Sequence, residues 1–172
     1  VQEVIGNKMS TSKFEFSNLV HLLRRSEKDP EVRKFFGQRM AYIDRDEHYG
    51  TLQFKNEGLD VVFKEAPWVV SSESITDPKE LYLAAFHLYC KGCYGFAEYS
   101  GQLPKGIVCG DSEAEILRKM GQPIKVGGGG IIPVLKQSAP RWFWYLLGNA
   151  ILHLQFDENG RVNMATIQVP KV

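Results

Sequence analysis

Cys90-Lys91-Gly92-Cys93 is the stretch whose residue types most directly offer chemistry, because two thiolates at this spacing can hold a metal or exchange a disulfide. A zinc site needs a second ligand pair, and the nearest candidates, His87 and Cys109, are not spaced as one. A redox motif of this type should open a helix, whereas this one follows a strand-like run and enters Tyr94-Gly95. It therefore reads as a loop with two thiols. Asp44-Arg45-Asp46-Glu47-His48 clusters charge in the same way, and a solvated turn is favoured there over a metal or partner site. Gly127-Gly128-Gly129-Gly130 lacks the helix N-terminus and the Lys-Ser/Thr pair of a phosphate cradle, so residues 127–140 read as a flexible loop. The histidines His21, His48, His87 and His153 are dispersed. His21 reads as a solvated helix residue. His87, alternating with Leu83 and Ala85, reads as a satisfied core or rim residue. There is no Gly-x-Ser-x-Gly, no His-Glu-x-x-His and no phosphate loop of the usual spacing. No catalytic residue, metal ligand or cofactor is expected.

The sharper signal is aromatic. Gly148-Asn149 suits a two-residue hairpin turn. Leu147 then pairs with Ala150, Tyr145 with Leu152, and Phe143 with Leu154, all on the face that should receive a helix. The opposite face receives Trp142 beside Gln155 and Trp144 beside His153. Two indoles with an imidazole and an amide on the open side of a sheet suit a partner-binding surface. Internal packing, under the other half of the chain or the glycine loop, is the other reading, and a register slip of one residue would exchange the faces.

These residues need a scaffold, and the hydrophobic periodicity supplies one. Phe16, Leu19, Val20 and Leu23 repeat at helical spacing. Asp29-Pro30-Glu31 restarts a helix with a cap, a first-turn proline and an acidic residue at the positive end of the dipole. Val32, Phe35 and Phe36 form its apolar face, and Gly37 stops it. Residues 40–43, 49–54, 59–63 and 81–90 read as strands, the second of these bounded by Asn56-Glu57-Gly58. The alternation of 59–63 predicts one buried face, and the large residues on both faces of 81–90 predict a central strand. Ser112 and Glu115 form a capping-box pattern, Ile116, Leu117 and Met120 share a helical face, Gly121 stops the helix and Pro123 forbids its continuation. Strands follow at 141–147, 150–156 and 161–169.

The two halves look alike. Residues 32–38 and 116–122 both end an amphipathic helix in Gly-Gln, and a meander follows each. Residues 59–63 then correspond to 152–156, and 81–88 to 162–169. A rival alignment matches Leu52-Gln53-Phe54 with Leu154-Gln155-Phe156, but it leaves the long apolar strands out of register. The expected fold class is α+β: tandem duplicated helix-plus-antiparallel-sheet units, with helices packed on one face of the sheet. Residues 10–172 are expected to form a single compact domain of two pseudo-repeats, 10–102 and 103–172. Residues 1–9 read as a leftover or unstructured N-terminus, since Met9-Ser10-Thr11-Ser12 looks more like a native beginning than Val1.

Composition sets the outer limits. The chain has 172 residues, enough to bury a core, and its net charge of +1 argues for neither nucleic acid nor an anionic membrane. No apolar run reaches the length of a transmembrane helix, and no signal peptide is present. Three cysteines, an odd number, argue weakly for a reducing compartment, so the expected location is cytoplasmic.

Gly110-Asp111-Ser112, Ile116, Met120-Gly121-Gln122-Pro123, Trp144-Tyr145, residues 152–156 and Gly160-Arg161-Val162 together resemble the repeat of the secreted β-lactamase inhibitor proteins. They are also similar to the small outer-membrane assembly lipoproteins of the SmpA type. That resemblance implies tandem units whose concave sheet grips a partner. The layout of residues 81–89, Tyr99-Ser100-Gly101-Gln102-Leu103-Pro104-Lys105-Gly106-Ile107 and the helix after Asp111 resembles immunity proteins encoded beside bacterial polymorphic toxins. The lipobox cysteine of the lipoproteins and the disulfide pairs of the secreted inhibitors are not evident, which favours the immunity group. It implies a non-enzymatic module that occludes the active site of a cognate protein toxin through Trp142, Trp144, His153 and Gln155, with no nucleic-acid or membrane partner. The alternatives are a small-ligand or metal-binding protein or enzyme with a pocket near the glycine loop, and an envelope assembly factor.

Overall fold

The computed structural model describes residues 13–71, 75 and 77–170. The expected beginning at Met9 lies outside them. Three short helices open the units of the fold: α1 (Phe16–Leu22), α2 (Pro30–Phe36) and α3 (Glu113–Met120). Local chemistry fixes their ends. The Asp29 carboxylate accepts a hydrogen bond from the Glu31 N–H at 2.7 Å. Ser112 and Glu115 satisfy each other's backbone N–H groups in a complete capping box. Gly37 and Gly121 stop α2 and α3 at φ +58° and +77°, values that disfavour side chains with a Cβ.

Eight strands form one antiparallel sheet. In chain order these are β1 (Asp44–Arg45), β2 (Tyr49–Phe54), β3 (Leu59–Glu65), β4 (Leu81–Tyr89), β5 (Lys125–Gly127), β8 (Trp142–Leu147), β9 (Ala150–Phe156) and β10 (Val162–Gln168). Their spatial order is β1-β2-β3-β4-β10-β9-β8-β5. A separate two-stranded hairpin joins β6 (Ile131–Ile132) to β7 (Gln137–Ser138). Each half therefore runs a helix and then a meander, and the third strands of the two meanders, β4 and β10, pair at the centre. This is an α+β fold with the helices on one face of the sheet. Leu19, Val32, Phe36 and Ile116 from the helices share one core with Leu52, Val61, Phe63, Phe86, Leu152, Leu154 and Ile167 from the strands. Each such side chain contributes about 2 kcal/mol of burial.

Four expectations are corrected. Residues 40–43 are not a strand, because Gly37–Tyr42 is a 3-10 helix. The strand lies one step later, inside the charged cluster expected to be a solvated turn: Asp44 pairs with Thr51 and Arg45 with Gly50. Arg45 stays exposed along its stem while its guanidinium binds Glu27, which is buried. Residues 127–140 are not simply a flexible loop, since Lys125–Gly127 pairs with β8 and the β6–β7 hairpin follows. The 59–63 run buries Asp60 on its second face as well as Leu59, Val61 and Phe63 on its first.

The fourth correction concerns the cysteines. Cys90 is not a thiol of a two-thiol loop; it is bonded to Cys109, and Cys93 is the free cysteine among the described residues. Cys109 reaches Cys90 because the chain returns to the end of β10: the Gly110 N–H donates to Val162 O at 2.9 Å, and the Cys90 N–H donates to Asn163 O at 3.0 Å. The bond closes a loop between residues separated by 19 positions, and that loop carries the connection between the two halves. Chain entropy assigns such a crosslink about 3 kcal/mol. Replacing Cys109 by Ser is expected to lower the unfolding free energy by about that amount, read as a fall in the urea midpoint together with a steeper slope, because the uncrosslinked unfolded chain exposes more surface.

Candidate functional site

The hairpin β8–β9 has the register that the Gly148-Asn149 turn dictates. Trp142 lies opposite Gln155, Trp144 opposite His153, and Tyr145 opposite Leu152. Phe143, Tyr145, Leu152 and Leu154 are buried in the core, so Trp142, Trp144, His153 and Gln155 share the other face. The structure brings all four together. The indole centroids are 5.3 Å apart, and the His153 ring sits edge-on to both, at 5.6 Å from Trp142 and 6.0 Å from Trp144. Gln155 Nε2 donates to Asn163 Oδ1 at 3.4 Å. Lys125, on β5, holds its ammonium 5.1 Å from the Trp144 ring centre.

The register extends this group across the sheet. His153 faces Thr166 on β10, Thr166 faces His87 on β4, and His87 faces Asp60 on β3. A row therefore runs Lys125, Trp144, His153, Thr166, His87, Asp60, crossing six strands. The sequence reading placed two of its six members, Trp144 and His153, in the site and missed Lys125, Thr166, His87 and Asp60. His87 was expected to share a face with Leu83 and Ala85. A bulge at Ala84 separates those two: Leu83 pairs with Phe63 in the core, while Ala85 and His87 take the open side. Asp60 and Thr166 looked like ordinary polar alternation, and only the long-range pairing puts them beside the histidines.

The open side is half-buried rather than bare. The segment after β4 folds across one end, where the Phe96 ring stacks on Tyr89 at 4.1 Å. At the other end the Gly127 backbone lies against the Trp142 ring, so a Cβ there would come within 2.6 Å of Cε2. This partial cover sets the electrostatics. Burial pushes His87 down to about 4, with the positive field of His153 as a smaller cause. Burial lowers His153 too. It pushes Asp60 up to about 6, against a hydrogen bond from the Val61 backbone. At neutral pH both imidazoles are uncharged and act as donors and acceptors. Three buried side-chain atoms among the described residues lack a partner, and all three belong to this row: Asp60 Oδ1, Trp144 Nε1 and His153 Nε2.

The order Thr166, His87, Asp60 has the residue types of a nucleophile, a base and an orienting acid. The geometry does not make them one. His87 Nδ1 and Thr166 Oγ1 share a hydrogen bond at 2.7 Å, but Thr166 is 1% exposed and no substrate reaches it. Asp60 Oδ1 has no partner, so it does not orient His87. The backbone around Thr166 is committed to the ladders with β4 and β9, which leaves no oxyanion donors. No group of three or more His, Cys, Asp or Glu among the described residues could hold a metal. His21 is exposed and paired with Glu31 at 3.2 Å, and His48 sits 3.3 Å from Glu65.

The row gives the fold a pH dependence whose sign differs by residue. Burial holds His87 and His153 below the ordinary histidine value of 6.5 in the folded state, so the stability they add is present above that pH and lost as pH falls below it, for His87 down to about 4. Asp60 acts oppositely: its folded value of about 6 exceeds 3.8, so acidification between those values favours the fold. Asp60→Asn is therefore expected to stabilise the protein at pH 7.5 by roughly 1–2 kcal/mol, a gain that shrinks as pH approaches 4. His87→Gln is expected to remove part of the acid loss between pH 6.5 and 4. Urea unfolding across that range checks both.

No family model matches the chain. Two crystal structures are similar in part. One is the DUF4309 family protein YjgB from Bacillus subtilis, at a TM-score of 0.44 and 13% identity, covering 81% of this chain and 76% of that one. The other is a cysteine-rich secretory protein from Staphylococcus aureus, at 0.47 and 9% identity, covering 87% of this chain. This chain spans less than half, 44%, of the Staphylococcus protein.

Proposed function

We propose that the chain is a non-enzymatic binding module that grips a protein partner with the open face of its sheet, through Trp142, Trp144, His153 and Gln155. One observation carries this reading: Trp142 and Trp144, their ring centroids 5.3 Å apart, lie opposite Gln155 and His153 on the partly exposed face of the sheet turned away from α1, α2 and α3. A partner group seated there gains aromatic contact area on an indole pair held in fixed geometry by the β8–β9 ladder. The resemblance to toxin immunity proteins suggests the partner class, a cognate bacterial toxin domain whose active site the face would occlude. A net charge near zero disfavours a nuclease, whose basic cleft calls for an acidic inhibitor.

The cellular compartment follows a different line. Cytoplasmic placement rested on an odd cysteine count. The Cys90–Cys109 bond supports an oxidising compartment instead, where such crosslinks persist. No helix among the described residues is long and apolar enough to cross a membrane.

A second reading rests on a groove of about 440 Å³ beside the glycine loop, bordered by Gly129, Ser138, Arg141, Gln155, Asn159 and Asn163. It would suit a small polar ligand. A thermal-shift screen with metals and nucleotides separates the two, since a saturable rise belongs to the ligand reading. For the leading reading, affinity capture from the native organism is expected to recover one stoichiometric protein encoded next to this chain. Trp144→Ala is expected to weaken that complex by about 2 kcal/mol or more while circular dichroism stays unchanged. Unchanged affinity in a folded variant would remove Trp144 as the anchor.

A further inference from the structure

The β6–β7 hairpin has a composition unlike the rest of the surface. Ile131 pairs with Ser138 and Ile132 with Gln137, and the Gly129 and Ala139 N–H groups continue the ladder at 2.9 and 2.7 Å. Residues 128–138 are all exposed, so the hairpin stands off the domain on its run of glycines. Its tip carries exposed aliphatic side chains: Ile131 is 75% exposed, Val134 91% and Leu135 60%. Between Lys125 and Arg141 the sequence holds three cations and no acidic residue. Lys136 closes the tip, Lys125 lies over Trp144, and Arg141 pairs loosely with Glu113 at 3.6 Å. Asp157 and Glu158 border one side of the base.

We propose that this hairpin is an interfacial anchor: its aliphatic tip enters the boundary between headgroups and acyl chains of an anionic bilayer, and its basal cations meet lipid phosphates. Three features favour lipid over a protein pocket. Protein hot spots are rich in Trp, Tyr and Arg and poor in Leu and Val, and the large apolar side chains of this tip are all aliphatic. The projection is convex and glycine-tethered, which suits a fluid phase better than a shaped cavity. Lys125, Arg141 and Trp142 flank the hairpin's root, with Trp142 packed on Gly127 there, a cation-and-indole collar of the kind that suits lipid headgroups. The absence of a spanning helix does not bear on this mode, because the hairpin lies in the interface and does not cross. The anchor shares Lys125 and Trp142 with the partner-binding face, whereas Val134 and Lys136 belong to the hairpin tip alone, so variants at those two positions separate the anchor from the binding face.

Co-sedimentation of the full chain with vesicles tests the anchor. Binding is expected to vesicles of phosphatidylcholine mixed with phosphatidylglycerol. Val134→Asp, at a fully exposed position, is expected to weaken binding about tenfold or more with no change in Tm. Lys136→Gln is expected to weaken it about fivefold on mixed vesicles and not on phosphatidylcholine alone. Failure to sediment with either composition overturns the proposal. So does a Val134→Asp variant that sediments like the parent, and so does a parent that ignores vesicles while Val134→Asp abolishes capture of a protein partner.

Discussion

The pairing of β4 with β10 is the constraint on which the other features rest. Thr166 and His87 are 79 positions apart in sequence, yet they face each other at the middle of the sheet. Phe86 and Ile167, paired in the same ladder, are fully buried on the other side. Side chains alternate along strands with a period of two, so this one pairing sets which face each half presents. A slip of one residue would bring the helix-facing side of one meander to the open side of the other. With the observed register, the polar positions of both halves fall into a single row, and the core beneath them is continuous.

Local rules made part of this legible. The caps of α2 and α3 involve groups two or three residues apart, so Asp29 with Glu31 and Ser112 with Glu115 could be read directly. The β8–β9 register followed from a two-residue turn, and the four residues on its open face came with it. What could not be read depends on distant chain segments. The Ala84 bulge reversed the expected face of Leu83 relative to His87, because an unpaired residue breaks simple alternation. The partner of Cys90 was hidden for a related reason: Cys109 is brought to it by a bond between Gly110 and Val162 near the far end of the chain. Arg45 looked like surface charge until Glu27, from another element, was placed beneath it.

The open row also shows how a sheet can be polar without being charged. Partial cover from the Phe96 segment and from Gly127 removes enough water to keep both imidazoles neutral and to hold the Asp60 proton well above its ordinary range. Full cover would demand partners for every polar atom, and full exposure would supply them from solvent. The intermediate condition leaves Trp144 Nε1, His153 Nε2 and Asp60 Oδ1 unpaired within the chain, with their geometry fixed by the strands that carry them. That rigidity suits recognition, since little ordering remains to be done when a partner arrives.

The sheet ends in very short strands: β1 has two residues and β5 has three, and glycines follow β5 directly. An incoming strand would find only a few backbone donors and acceptors in line before the ladder stopped. Recognition by strand addition, which works by lengthening a sheet sideways, has almost nothing to build on at either margin. The same shortness blocks the stacking of one copy's sheet onto the next, the route by which open sheets polymerise. An eight-stranded sheet with closed-off margins can be crowded with its own kind and still meet other molecules only through its face and its projections.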